Sequence, residues 1–119
     1  MNMKIILFPY SGGNKNSYKK IISFFDPKCK YLAIELRGRG DKRGKPFCVE
    51  FETVVKELNK EVEQFIQKDE DIIFYGHSLG AYLAWEVAKL FLQEEVRIRE
   101  VVLSGIAPLK YMKNTFFLQ

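Results

Sequence analysis

Residues 71–91 read DIIFYGHSLGAYLAWEVAKLF, and this stretch places a serine between two glycines where a strand gives way to a helix. An apolar run of strand length, IIFYG, precedes the serine, and Leu79–Leu92 is apolar on most sides, as in a helix buried within a domain. The Gly-x-Ser-x-Gly pattern between them predicts a tight turn that holds Ser78 clear of the sheet. The flanking Gly76 and Gly80 leave room for a turn that larger side chains would obstruct.

The alternation of apolar runs and amphipathic segments extends along the whole chain. The predicted elements are strands over 4–8, 31–36, 72–76 and 100–105, and helices over 18–25, 50–66 and 79–92. Strands that are apolar throughout and separated by helices indicate a parallel sheet with helices on both faces. The sequence therefore predicts an α/β fold of order βαβαβαβ, in a single domain over residues 1–119.

Charge and cysteine content limit the possible partners. Residues 1–48 carry 11 Lys and Arg against 3 Asp and Glu, while residues 49–119 carry 8 against 12. The basic part would suit an anionic partner or form a solvated face. Its basic loop lacks the interleaved aromatic residues that stack on bases, so nucleic acid is not expected. Cys29 and Cys48 form no zinc or disulfide pattern, and no apolar run reaches the roughly 20 residues of a membrane span, so we expect a cytoplasmic protein with no metal and no membrane partner.

Three unusual loops follow the first three predicted strands: PYSGG, RGRGDKRG and GHSLG. The carboxyl ends of parallel strands meet at one edge of a sheet, where ligands bind. We therefore expect the loops to converge there. PYSGG contains Tyr10 and Ser11 before two glycines, Gly12 and Gly13, which let the backbone approach a substrate closely.

The chemistry predicted for Ser78 is nucleophilic attack. The serine stands at the amino end of a helix, where N–H groups and the helix dipole stabilise a developing oxyanion. Leu79 is expected to supply one N–H donor, and the segment Tyr10–Ser11 is expected to supply the second.

A serine nucleophile needs a neighbouring base, usually a histidine with a carboxylate behind it. The single histidine of the chain, His77, is adjacent to Ser78. Neighbouring residues on a sharp turn point apart, so we expect His77 to point into the domain, as a packing or hydrogen-bonding residue, and not to serve Ser78.

Four segments together resemble one family. In the order ILFPYSGGNKNSYKKI, LAIELRGRGDKRGKP, IIFYGHSLGAYLAWEVAKLF and VVLSGIAPL, they are similar to the type II thioesterases of the α/β-hydrolase superfamily, which accompany nonribosomal peptide and polyketide synthetases in antibiotic biosynthesis. The resemblance runs from about Ile5 to Leu109. It implies hydrolysis of acyl or aminoacyl thioesters on the phosphopantetheine arm of a carrier protein, through an acyl-enzyme on Ser78. It implies no metal or redox cofactor, and it places GRGD (38–41) beside the entrance.

The resemblance also implies that parts of the catalytic domain are missing. In that family the lid helices, the strand bearing the Asp and the loop bearing the His would follow Leu109, whereas this chain continues with KYMKNTFFLQ. We therefore expect a partial α/β-hydrolase domain that is inactive or nearly so alone. The predicted strand at 100–105 would present an open edge that favours self-association.

Three alternatives remain open. The chain could be a non-catalytic module that binds a carrier protein, or its Asp and His could come from a separate chain. It could also be an esterase or lipase, because the same fold accommodates many substrates.

Overall fold

A computed structural model describes residues 3–36, 44, 50–92, 94 and 96–105 of the chain. Within these residues, strands and helices alternate in the predicted order βαβαβαβ. The elements are β1 (Met3–Phe8), α1 (Lys19–Ile22), β2 (Lys30–Ala33), α2 (Phe51–Phe65), β3 (Asp71–His77), α3 (Leu79–Phe91) and β4 (Arg97–Ser104). The GRGD segment and the tail from residue 110 lie outside the described residues.

The four strands form one parallel sheet in the order β2-β1-β3-β4. β1 and β3 are neighbours at the centre, paired from Met3 with Asp71 to Phe8 with Gly76. Their carboxyl ends therefore lie side by side, and the loop after β1 meets the turn after β3. This pairing positions the candidate site.

Side chains alternate between the two faces of the sheet. Ile6, Phe8 and Phe74 pack with α2 and α3 in the larger cluster, while Ile5 and Leu7 pack with Tyr18 in the smaller one. Each cluster covers one face, and both central strands are buried over most of their length. The predicted parallel sheet with helices on both faces is confirmed.

The boundaries of three elements differ from the prediction. β2 ends at Ala33, and two residues later the buried carboxylate of Glu35 accepts a hydrogen bond from the N–H of Lys15 at 2.8 Å instead of following the apolar pattern of a strand. α1 has only four residues, since the chain continues in tighter turns in which the N–H groups of Phe24 and Phe25 bond to the carbonyls three residues earlier. β4 begins at Arg97, where charged residues interrupt the apolar pattern that marks a strand.

A buried ion pair lies at the amino end of the sheet, at the end opposite the candidate site. Lys4 of β1 lies 2.9 Å from Glu70, and both side chains are buried. Glu70 also accepts a hydrogen bond from the N–H of Gln67, and Lys4 donates to the carbonyl of Phe65 at the end of α2. Together these bonds fix the connection from α2 into β3.

In the described part of the chain, no helix combines the length and the apolar character needed to cross a membrane.

Candidate active site

Ser78 occupies the turn between β3 and α3 in an unusual backbone conformation. Its φ is 56° and its ψ is −119°, and it is the only non-glycine residue with a positive φ among those described. Such a conformation costs roughly 1–3 kcal/mol and must be held by its surroundings. The residue is exposed, and its hydroxyl does not cap the helix that follows. The hydroxyl is therefore presented at the surface.

Two glycines make the turn possible because the backbone around them is closely packed. A Cβ at Gly76 would lie 2.1 Å from the carbonyl oxygen of Gly80, and a Cβ at Gly80 would lie 2.2 Å from the carbonyl oxygen of Phe8. Any side chain at either position would force backbone atoms apart. The first turn of α3 therefore rests directly on the ends of β3 and β1.

Hydrogen bonds fix the turn on its other side. The N–H of Ser78 donates to the carbonyl of Ser104, the last residue of β4, at 2.8 Å, and the carbonyl of Ser78 accepts from the N–H of Ala81 at 2.9 Å. The first N–H groups of a helix have no partner within it, and that of Leu79 is among them. With the dipole of the 13-residue α3 behind them, these groups favour negative charge beside Ser78.

The loop after β1 lies against this turn. A hydrogen bond from the N–H of Gly13 to the carbonyl of Tyr10, at 2.9 Å, closes a turn in this loop, and Gly12 has a φ of 79°. Ser11 is exposed, while Tyr10 is half-buried, with its ring centroid 6.2 Å from that of His77. The structure thus brings the PYSGG loop and the GHSLG turn together, as the strand order predicts.

His77 is exposed, so the expectation that it points into the domain is wrong. Its Nδ1 lies 3.0 Å from the hydroxyl oxygen of Ser104, and a Cβ at Gly105 would lie 2.4 Å from the imidazole ring. The reason is that β3 extends past the core at its carboxyl end, where β4 offers a polar partner. His77 is hydrogen-bonded, as expected, but its partner belongs to β4.

Tyr18, the first residue of the helix predicted over 18–25, is a residue of the site to which the sequence assigned no role. Its hydroxyl donates to the carbonyl of Phe8 at 2.6 Å and accepts from the N–H of His77 at 3.2 Å. Burial raises the pKa of Tyr18 to about 12, partly opposed by the hydrogen bond from His77. The available signal was a tyrosine on an otherwise apolar stripe, because a buried tyrosine hydroxyl needs a partner.

The assembled groups can support nucleophilic attack on a carbonyl carbon. Ser78 offers an exposed hydroxyl, and N–H groups at the helix start and in the adjoining loop can stabilise an oxyanion. Among the described residues, no three or more His, Cys, Asp or Glu side chains cluster in a way that could hold a metal ion. The only histidine of the sequence is bonded to Ser104, so it does not face Ser78 as a base in this arrangement.

Comparison with protein families places the chain among known sequences. The family profile described as "Thioesterase domain" matches residues 3–114. The probable cadicidin biosynthesis thioesterase of Streptomyces griseus is 31% identical over 104 residues, which are 87% of this chain and 28% of that protein. The medium-chain S-acyl fatty acid synthase thioesterase of Rattus norvegicus is 30% identical over 95 residues, covering 80% of this chain and 35% of the relative.

Solved structures of other proteins share the fold of this chain. ClbQ from the colibactin NRPS/PKS pathway superposes with a TM-score of 0.79 at 26% identity, covering 91% of this chain and 45% of ClbQ. The type II thioesterase BorB from the borrelidin biosynthetic cluster superposes with a TM-score of 0.78 at 23% identity, over 87% of this chain and 41% of BorB. The chain therefore spans less than half the length of these proteins, and its fold is that of an α/β-hydrolase.

We predict that the free energy of unfolding is about 1 kcal/mol higher for Ser78→Gly than for Ser78→Ala. Glycine adopts a positive φ without strain, whereas alanine at this position remains strained. Urea unfolding of the two variants measures the difference. Ser23 is the control, since it is exposed with a φ of −62°. There the order should reverse, with Ser23→Ala the more stable. Equal stability of the two Ser78 variants would show that the turn is not strained.

Proposed function

Because the chain belongs to the thioesterase family, we propose that it acts on acyl or aminoacyl thioesters carried on the phosphopantetheine arm of a carrier protein, with Ser78 as the nucleophile. The observation that carries this proposal is the conformation of Ser78. A strained turn between strand and helix presents its hydroxyl at the amino end of α3, where the first N–H groups have no carbonyl partner within the helix. Strained backbone conformations concentrate at active sites, and a turn of this kind is the geometry that serine hydrolysis needs.

The proposed reaction has two steps. The hydroxyl oxygen of Ser78 bonds to the thioester carbonyl carbon, the C–S bond breaks, and the phosphopantetheine thiol leaves with a proton. Water then attacks the acyl-serine ester, which releases the acid and restores the hydroxyl. In both steps the oxyanion is stabilised by the N–H of Leu79 and an N–H from Tyr10 or Ser11. This chemistry uses no metal or redox cofactor.

The proposed reaction lacks a base within this chain. His77 contacts Ser104, and losing the histidine of a serine triad costs about 10^6 in turnover. We therefore propose that the 119-residue chain alone is nearly inactive, and that the base comes from protein outside these residues. The related proteins contain further sequence that could include such a base, because the chain spans 28% of the Streptomyces griseus thioesterase and 45% of ClbQ.

The proposed substrate follows from the names of the relatives. ClbQ belongs to an NRPS/PKS pathway, and the rat enzyme is a fatty acid synthase thioesterase. The name of the rat enzyme specifies an S-acyl group and a synthase. For this chain we infer a carrier protein in the cytoplasm as the partner. Carrier binding without turnover is the second candidate function, favoured by the commitment of His77 to Ser104.

We predict that added imidazole restores thiol release from a short acyl-phosphopantetheine thioester. The wild-type chain and Ser78→Ala are compared with and without imidazole. Imidazole supplies the missing base, and the Ser78→Ala variant measures how much thiol is released by direct attack of imidazole on the thioester. Without imidazole the two should be close. With imidazole the wild type should exceed the variant by tenfold or more, a small part of the roughly 10^6 that a built-in base provides. Equal rates for the wild type and Ser78→Ala with imidazole would contradict attack by Ser78, and carrier binding would remain as the candidate function.

We also propose that the chain self-associates through β4. β4 pairs with β3 on one side, and it is the last strand of the described sheet. Its Val102 is 37% exposed, and an exposed apolar edge strand favours pairing with another chain.

Sedimentation velocity over a range of concentrations tests this. The wild type should form dimers that Val102→Lys reduces, because a lysine on an edge strand opposes pairing. Leu92→Lys is the control, since Leu92 is 71% exposed at the end of α3, away from the edge. A wild type that is monomeric throughout, or equal effects of both lysines, would contradict the proposal.

A further inference from the structure

Tyr18 is buried where the smaller core cluster meets the candidate site. Only 5% of the residue is exposed, and its ring packs with Ile5 and Leu7 of β1. The ring centroid lies 5.4 Å from that of Tyr75 and 5.9 Å from that of Tyr10, in both cases edge to face. This packing fixes the direction in which the hydroxyl points.

The hydroxyl joins the last residues of the two central strands. It donates to the carbonyl of Phe8, the last residue of β1, at 2.6 Å. It accepts from the N–H of His77, the last residue of β3, at 3.2 Å. A side chain 59 positions away from His77 thus bridges two strand ends that lead directly into the candidate site.

Both bridged groups are very close to the reacting groups along the chain. His77 immediately precedes Ser78, and Phe8 is followed by Pro9 and then Tyr10. The Phe8 carbonyl is also contacted by the first turn of α3 at Gly80. The hydroxyl therefore connects the strand end that leads into the PYSGG loop with the strand end that leads into the Ser78 turn.

We propose that the Tyr18 hydroxyl is a positioning group that holds the PYSGG loop and the Ser78 turn at the spacing the reaction requires. This inference rests on the proposed function. Without the hydroxyl, the Phe8 carbonyl and the His77 N–H each lose a hydrogen bond at the point where the pairing of β1 with β3 ends. Looser strand ends displace the oxyanion donors relative to Ser78, and a displacement of about 1 Å can cost on the order of 100-fold in rate.

The bridge requires a neutral phenol, since only a protonated hydroxyl donates to the Phe8 carbonyl. The pKa of about 12 keeps Tyr18 protonated throughout the pH range in which thioesters are assayed. The hydroxyl is thus a permanent donor at Phe8 and a permanent acceptor at His77.

Amide hydrogen exchange tests the bridge without any need for turnover. Tyr18→Phe keeps the ring and removes the hydroxyl, and Tyr75→Phe is the matched control because Tyr75 packs in the same cluster. In Tyr18→Phe the amides of His77 and Gly13 should exchange roughly tenfold faster, while that of Phe74 within β3 stays unchanged. The inference is overturned if Tyr75→Phe gives the same change, or if the Phe74 amide accelerates equally.

Imidazole-supplemented thiol release tests the consequence for catalysis. The maximal rate of Tyr18→Phe should fall roughly 10- to 100-fold, with the half-saturating thioester concentration within about twofold of the wild type. A change confined to the half-saturating concentration would contradict a positioning role. If the wild type does not exceed Ser78→Ala, the proposed function fails, while the exchange experiment still decides the role of Tyr18.

A second variant tests the inference even if Tyr18→Phe folds poorly. Replacing Tyr18 with 3,5-difluorotyrosine keeps the ring and the hydroxyl but makes the phenol more acidic. Its rate should fall with rising pH relative to the wild type, because the phenolate cannot donate to the Phe8 carbonyl. A pH profile parallel to that of the wild type would contradict the inference.

Discussion

The contact between Gly80 and the Phe8 carbonyl is the constraint on which the rest of the site depends. Because Gly80 has no side chain, the first turn of α3 lies directly on the end of β1, where a Cβ would come within 2.2 Å of the carbonyl oxygen. The chain must then leave β3 and enter α3 within one residue, and that residue is Ser78 with its positive φ. The position of the hydroxyl follows from a packing requirement between two backbones.

The site separates positioning from proton transfer. Backbone groups hold the Ser78 turn and the adjoining PYSGG loop, and the carbonyl of Ser104 in β4 accepts a hydrogen bond from the N–H of Ser78 at 2.8 Å. Rigid strands and a helix therefore supply the geometry, and the Tyr18 hydroxyl connects the two parts of the site. Proton transfer is different, because the imidazole of His77 contacts the Ser104 hydroxyl. The proposed reaction therefore separates the geometry around Ser78, which this chain contains, from the base, which we propose to lie outside it.

The sequence predicted most of the fold and the position of Ser78, because both depend on local patterns. Continuous apolar runs such as KIILF identify buried parallel strands, and the glycines around Ser78 identify the turn. What it could not predict depends on contacts between distant residues. β2 ends where Glu35 meets Lys15, and the outward position of His77 depends on Ser104. The Tyr18 hydroxyl bonds to the N–H of His77, 59 positions away, which no local pattern records.

The most direct test of the account is the structure of the chain with an alkyl boronic acid bound to Ser78, because a tetrahedral boronate resembles the intermediate of acyl transfer. We predict a covalent bond from the Ser78 oxygen to boron, with one boronate oxygen about 2.7–3.1 Å from the N–H of Leu79 and from an N–H of the Tyr10–Ser11 segment. A boronate bound to another residue, or one whose oxygens all face solvent, would show that the turn presents a serine without an oxyanion site.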